Sequence, residues 1–378
     1  MNTKEIGEIR RRQRRDRSNI TAIHGCYVND KKEIISHFSR STGMMSENEA
    51  DKYFALLRRT LGGTLGKNLL ELTFRTAQVA DSPEHKALMS LRGPGLGSEE
   101  IRQSFYQRVI ENLTMEGSYL ILLATENYDV PFKGDADQSD ETFTYVLCAI
   151  CPVKQTKAVL HYEPETKDFQ DGNMMNAVAA PELGFLFPAF DGRATNIYNA
   201  LYFNRSPKDN HEEFVTAIFN TPVAKPAQEQ RESFEGLLSD SLDTECSMEV
   251  VQTVHDQLCQ QIALHKESKV PEALTLTKED LTGLLEGCGV SQEKVAKFSV
   301  DFEQTFGLDA AVYPTNIMDP KKIEIKTPDV SIKVATDRSD LIETRVIGGV
   351  KYILIRADED VEVNGVNIHI GEAEPATV

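Results

Sequence analysis

The stretches YLILLAT at residues 119–125 and TFTYVLCAICPV at residues 142–153 decide the fold of this chain. Both are short runs rich in apolar, β-branched and aromatic residues, which is typical of β-strands. Runs of the same character lie at residues 157–162, 183–187 and 197–203. Five strands flanked by helical patterns predict one mixed α/β or α+β sheet domain over residues 18–220.

The residues before residue 119 predict two extended segments and four helices. The periodicity places strands at 20–28 and 68–74, and helices at 31–40, 47–61, 83–91 and 98–113.

The composition changes after residue 220. Two prolines in NTPVAKPAQ indicate a linker at 221–228, and helical periodicity covers 229–307. Short alternating runs separated by Pro-Asp, Gly-Gly and Asn-Gly then predict hairpins. The predicted fold class is therefore α+β, with a basic arm at 1–17, a mixed α/β sheet domain at 18–220, a linker at 221–228, a helical segment at 229–307, a small all-β module at 308–370 and a flexible tail at 371–378.

Length and charge restrict the class of protein. The 378 residues are enough for two or three domains, and 59 acidic against 41 basic side chains give a net charge of −18. Six cysteines do not suggest a disulfide framework, and no apolar run approaches the roughly 20 residues of a membrane span. No export signal precedes the first strand. We therefore expect a cytoplasmic protein with no membrane contact, and we expect no cofactor.

The basic arm, residues 1–17, opposes this acidic background. It holds seven basic side chains against three acidic ones, which points to a polyanionic partner. RNA, a ribonucleoprotein or an acidic protein surface would serve, and the alternative is a solvated helix whose arginines pair with the body's own carboxylates. The candidate polyanion-binding residues are Arg10, Arg11, Arg12, Arg14, Arg15 and Arg17.

The segment TLGGTLGKN at 60–68 resembles a phosphate-binding loop only in part. Leu61 and Asn68 stand where a Walker motif needs Gly and Ser or Thr, so a nucleotide loop is excluded. Backbone amides in such a loop can still form an anion-binding nest. The alternative is a helix C-cap followed by a turn. The candidate anion-binding residues here are Gly62, Gly63, Gly66 and Lys67.

A second candidate ligand site follows the apolar run LGFLFPAF, where Asp191 and Arg193 come in quick succession. Together with the glycine loop, and with Mg²⁺ on Glu126 and Asp129, these residues would suit a phosphate-handling or hydrolytic enzyme. The sequence contains no catalytic triad, zinc-protease or dinucleotide motif in support. A non-catalytic binding or regulatory protein is the leading hypothesis, and a structural subunit that recruits a partner through a β-edge is a third.

The cysteines and histidines do not predict a metal site. Cys148 and Cys151 lie three apart on a predicted strand and so face opposite sides. His255 and Cys259 have the i, i+4 spacing of shared ligands on a helix, but nothing in the sequence brings the two pairs together. His24 and Cys26 suit a core strand.

Four long motifs resemble a known family. They are GTLGKNLLEL at 63–72, LGFLFPAFDGRATNI at 183–197, EIKTPDVSIKV at 324–334 and ETRVIGGVKYILI at 343–355, with KEIGEIRRR and HGCYV near the start. Together they are similar to an uncharacterised bacterial family of unknown function, number 4317, over nearly the whole chain. The resemblance implies a bacterial, cytoplasmic, standalone protein and brings no activity, cofactor or catalytic residue with it.

Overall fold

The protein divides into two compact units, Met1–Glu232 with residues 269–274, and Ser233–Ser268 with Thr275–Val378. The computed structural model describes residues 1–132, 135–158, 160–171, 174–206, 208–268, 270, 273–308, 310–357 and 361–368. The boundary at residue 232 falls inside a helix, a few residues beyond the predicted linker. In the described part of the chain, every helix is too short or too polar to cross a bilayer.

The first unit contains six helices and twelve strands in its described residues. The helices are α1 (Thr3–Arg12), α2 (Glu47–Arg59), α3 (Thr76–Asp81), α4 (Pro83–Arg92), α5 (Glu99–Asn112) and α6 (Glu212–Phe219). The strands are β1 (Ala22–Val28), β2 (Ile34–Ser41), β3 (Leu69–Thr73), β4 (Ser118–Phe132), β5 (Asp135–Gln155), β6 (Leu160–Glu163), β7 (Asp168–Asp171), β8 (Asn176–Val178), β9 (Leu183–Phe187), β10 (Ala189–Asp191), β11 (Ala194–Asn196) and β12 (Asn199–Asn204).

Eight of these strands form one sheet. Its order is β2-β1-β4-β5-β9-β12-β3, with β8 paired to β5, and the pairings are antiparallel. The stretches at 119–125 and 142–153 form the centre of this sheet, because every residue of β4 is paired with β5. The α+β class is confirmed, and the sheet that the sequence left as mixed is antiparallel.

Both faces of the sheet are covered by apolar side chains. One face packs against α4, α5 and α6 and includes Cys148 and Phe185, while the other packs against α1 and α2 and includes Leu147 and Cys151. Cys148 and Cys151 therefore lie on opposite faces, as the strand periodicity predicts. The central strands are buried on both sides, which explains their continuous apolar runs.

The predicted helix at 31–40 is wrong, because these residues form the turn before β2 and the edge strand itself. The side chain of Asn29 accepts hydrogen bonds from two amides of the turn. Phe38 then pairs with Gly25 of β1. The Phe38 ring lies so close to this glycine that a Cβ on Gly25 would come within 2.2 Å of a ring carbon. Strand pairing and this ring contact outweigh the local helical spacing.

The second unit begins within a helix and is helical up to residue 318. Its helices are α7 (Ala227–Leu242), α8 (Met248–Ser268), α9 (Lys278–Gly287), α10 (Gln292–Phe306) and α11 (Pro314–Ile317). The four longer helices agree with the sequence prediction. Their apolar core centres on Phe298 and Phe302 and extends to Ile317 and Met318, so the first residues of the predicted β module belong to the helical core.

Three hairpins complete the described part of this unit. They are β13 (Lys322–Lys326) with β14 (Ser331–Ala335), β15 (Ile342–Ile347) with β16 (Val350–Ile355), and β17 (Val361–Val363) with β18 (Val366–Ile368). Each hairpin is a separate two-stranded sheet. The predicted tail at 371–378 lies outside the described residues.

Candidate functional site

The basic arm is largely a docked helix. Asn2 and Glu5 close a capping box at the start of α1, and Ile6 and Ile9 are buried against the sheet. Since the capping box satisfies the first amides and the two isoleucines anchor the helix, the arm's arginines project from a fixed scaffold.

A buried carboxylate fixes the end of α1. Glu126 of β4 accepts hydrogen bonds from the Arg12 guanidinium at 2.5 Å, from the Gln13 side chain at 3.1 Å and from the Asn19 amide at 3.0 Å. Tyr145 of β5 donates its hydroxyl to the same carboxylate. Burial, reinforced by the Glu126 charge, raises the pKa of Tyr145 well above its ordinary value, so the hydroxyl keeps its proton. Arg12 is therefore engaged inside the protein.

The other five arginines of the arm are exposed, and two more lie beside them at the end of α2. Arg58 shares an open depression of about 620 Å³ with Arg14 and Arg15. A Cβ on Gly62 would lie 3.2 Å from the Arg59 carbonyl oxygen and 3.6 Å from the Arg10 guanidinium. We call these seven side chains the basic face: Arg10, Arg11, Arg14, Arg15, Arg17, Arg58 and Arg59.

Three carboxylates accompany the basic face, namely Asp16, Glu47 and Asp51. Arg15 pairs with Glu47, while Arg14 and Arg17 approach Asp16 at 3.8 and 3.7 Å. These side chains are all largely exposed, and exposed ion pairs contribute between 0 and about 1 kcal/mol each. Such pairs can be exchanged for an incoming anion at little cost.

The glycine loop directs most of its amides inward. Gly62 donates to the Arg59 carbonyl at 3.0 Å, Gly66 to Leu69 at 2.8 Å and Lys67 to Thr64 at 3.1 Å. Gly63 and Gly66 have φ values of 114° and 79°, which only glycine adopts without strain. These are the features of the helix end and turn that the sequence offered as the alternative to an anion nest.

Asp191 and Arg193 face α1. Asp191 lies 2.5 Å from the Met1 amino group and accepts from Asn196 at 2.6 Å, whereas Arg193 donates to Glu8 at 2.7 Å and to the Pro131 carbonyl at 2.8 Å. Both charges thus help to dock the helix. The structure brings α1 against both candidate sites, through Arg10 on the glycine loop and through Glu8 on Arg193. The enzyme alternative gains no support from this arrangement.

The candidate cysteine and histidine side chains lie in buried surroundings or contact neighbouring protein groups. Burial raises the pKa of Cys26 to about 11 and that of Cys151 to about 12, so both thiols stay protonated. In the second unit, the Cys259 sulfur lies 3.8 Å from His255 Nδ1, while Nε2 lies 3.0 Å from the Asp319 carbonyl oxygen. The residues that the structure describes include no group of three or more side chains placed to hold a metal ion.

Mg²⁺ on Glu126 and Asp129 is part of the enzyme alternative, and Asp135, Asp137 and Asp140 follow in the same stretch of sequence. Glu126 is instead surrounded by donors, and Asp129 accepts from the Thr142 hydroxyl at 2.7 Å. The side chains of Asp135, Asp137 and Asp140 lie outside the described residues.

Sequence reasoning did not include Arg58 and Arg59 in the site. The paired basic letters at the end of a predicted helix were visible, but their place beside α1 depends on tertiary packing.

Fold and site together define an α+β protein with an antiparallel sheet, covered on both faces, and a basic helix docked on it. The family model described as "Domain of unknown function (DUF4317)" matches residues 1–366 of the 378. The chain belongs to this family, and the resemblance noted in its motifs is confirmed. A search of the curated proteins finds no match.

Proposed function

We propose that this protein is a non-catalytic RNA-binding protein of the bacterial cytoplasm that holds the phosphate backbone on its basic face. The observation that carries the proposal is an open depression lined by Arg14, Arg15 and Arg58. The other exposed arginines of the basic face lie on the same two helix ends and on the turn after α1.

Charge and rigidity both support this function. Arg10 and Arg11 lie in the last turn of α1. Arg14 and Arg15 lie in the turn that follows the helix and line the depression with Arg58. Guanidinium groups bind phosphate through paired hydrogen bonds. Because α1 is already docked through Ile6 and Ile9, binding does not require ordering a loose segment, which reduces its entropic cost. The acidic remainder of the surface would orient an RNA toward this face.

The test is fluorescence anisotropy with a labelled 20-nucleotide RNA of mixed sequence, titrated at several salt concentrations. Replacing Arg10, Arg11, Arg14 and Arg15 by Gln removes up to four phosphate contacts. The slope of log K against log salt should then become less steep by about 3, because each contact to single-stranded nucleic acid contributes roughly 0.7.

The matched control replaces four exposed basic residues of the second unit, Lys266, Lys322, Lys326 and Lys333, by Gln. This variant should bind RNA as the parent does. Equal binding and equal salt dependence of parent and arginine variant would contradict the proposal, as would a parent that binds no RNA and instead retains an acidic protein such as poly-glutamate.

A further inference from the structure

The hairpin of β15 and β16 exposes apolar side chains on both of its faces. On one face Val346 is 68% exposed and Ile355 56% exposed. On the other, Ile347 lies opposite Val350, and these side chains are 53% and 54% exposed.

The strand VKYILI at Val350–Ile355 resembles the centre of the large sheet more than a surface hairpin. A nearly continuous apolar run is typical of a strand covered on both faces, whereas a solvated hairpin alternates apolar and polar residues. An isolated two-stranded hairpin is also only marginally stable in water, and three or more strands are needed for independent stability. In the part of the chain that the structure describes, β15 and β16 pair only with each other.

We propose that β16 pairs antiparallel with β16 of a second copy of this chain, giving a four-stranded intermolecular sheet. Antiparallel pairing of a strand with its own copy is self-complementary about a two-fold axis. The hairpin lacks the excess of acidic side chains that the chain as a whole carries. The chain carries a net charge of −18, which opposes the approach of two copies, but within Ile342–Ile355 one acidic residue, Glu343, accompanies the two basic residues Arg345 and Lys351.

A register centred on Ile353 places apolar side chains opposite each other without opposing like charges. It places Ile353 opposite its own copy, Tyr352 opposite Leu354 and Lys351 opposite Ile355, so no like charges face each other. Cross-strand neighbours of this kind have Cβ atoms about 5 Å apart. Aromatic and β-branched pairs each contribute roughly 0.2–1 kcal/mol, and the added strands bring the sheet above the three-strand minimum.

The test is sedimentation velocity of the full chain over a hundredfold range of concentration. We expect a dimer that dissociates on dilution. Tyr352→Lys, which places an unpaired charge at the contact, should raise the dimer dissociation constant at least tenfold. Val300→Lys, at a side chain on α10 that is 55% exposed, is the control and should leave the dissociation constant unchanged. Circular dichroism verifies that both variants are folded.

A crosslinking experiment tests the register separately. Ile353→Cys brings two thiols together at the axis, so a short bis-maleimide reagent should link two chains much faster than it links Val300→Cys or the parent with its six native cysteines. A chain that stays monomeric at every concentration overturns the proposal. So does a dimer that neither Tyr352→Lys weakens nor Ile353→Cys crosslinks, because its interface would then lie elsewhere.

Discussion

The centre of the large sheet and the β15–β16 hairpin contain similar residues in opposite surroundings. The run VLCAIC at 146–151 is buried on both faces between two layers of helices, while VKYILI at 350–355 is mostly exposed. Both form strands, so the apolar run determines the element. Whether that element contributes to stability depends on what covers it, and among the residues that the structure describes only the first run is covered on both faces.

The largest difference that this comparison predicts concerns core truncation. Phe185→Ala, in the buried strand β9, should lower the free energy of unfolding by about 4 kcal/mol, because it removes a fully enclosed ring and leaves a cavity. Ile353→Ala, measured in dilute protein, should change it by less than about 0.5 kcal/mol. Urea denaturation measures both, and equal losses would mean that the hairpin is covered within the single chain.

Buried and exposed arginines provide the next test. Arg12→Ala leaves the Glu126 carboxylate buried without its cation, and breaking such a pair costs about 3 kcal/mol. Arg15→Ala removes an exposed pair with Glu47 and should cost under about 1 kcal/mol. The comparison uses chemical denaturation at low salt. If Arg15→Ala lowered the free energy of unfolding as much as Arg12→Ala, the exposed arginines of the basic face would contribute to the stability of the fold.

His24 of β1 gives the buried sheet a pH dependence. Burial, together with the Arg102 charge, lowers its pKa to about 4, whereas the unfolded value is about 6.5. Between these values the unfolded chain binds a proton that the folded chain does not. Stability should therefore fall as the pH drops from about 6.5 to 4, with His24 accounting for about 2–3 kcal/mol.

The contribution of His24 is measured as a difference. The free energy of unfolding of His24→Gln should decrease less than that of the parent between pH 7 and pH 4.5. His37→Gln, at an exposed histidine of β2 that pairs with Glu99, is the control. Parallel pH curves for parent and His24→Gln would rule out a buried neutral imidazole.

The smallest effect concerns the sheet edge. A Cβ on Gly25 would collide with the Phe38 ring, so Gly25→Ala should cost about 1 kcal/mol as the ring moves aside. Gly117→Ala has open space around its Cβ but a φ of 77°, so its cost arises from the backbone alone. The double variant Gly25→Ala with Phe38→Ala should recover the steric part of the loss, which a denaturation cycle would detect.

Much of the fold follows from local patterns. The strands at 119–125 and 142–153, the four long helices after residue 229 and the hairpin turns were all predicted, because apolar spacing and turn residues act over a few positions. The helix predicted at 31–40 was wrong because Phe38 is held by Gly25 on a neighbouring strand. The separation of the last hairpins was also not predictable, since alternation specifies strands but not which strands pair.

The site was predicted in part. The arginines at 10–17 could be identified from charge alone, but charge cannot distinguish Arg12, which lies on buried Glu126, from its exposed neighbours. The sequence indicates Asp191 and Arg193 as a pair of ligand-binding residues. Their contacts with Met1 and Glu8 join residues that are far apart in the sequence, so no local pattern predicts them. Arg58 and Arg59 join the basic face only through packing, which no local pattern encodes.

The Glu126 contact also has a consequence for the order of folding during synthesis. Arg12 and Glu126 are 114 positions apart, and Glu8 and Arg193 are 185 apart. Contacts of such sequence separation form late, because a long loop must close first. A ribosome adding roughly 5–20 residues per second would emit α1 many seconds before Arg193. The helix therefore makes its contacts with Glu126 and Arg193 long after its own residues have been synthesised, and Arg12 spends that interval without its buried carboxylate.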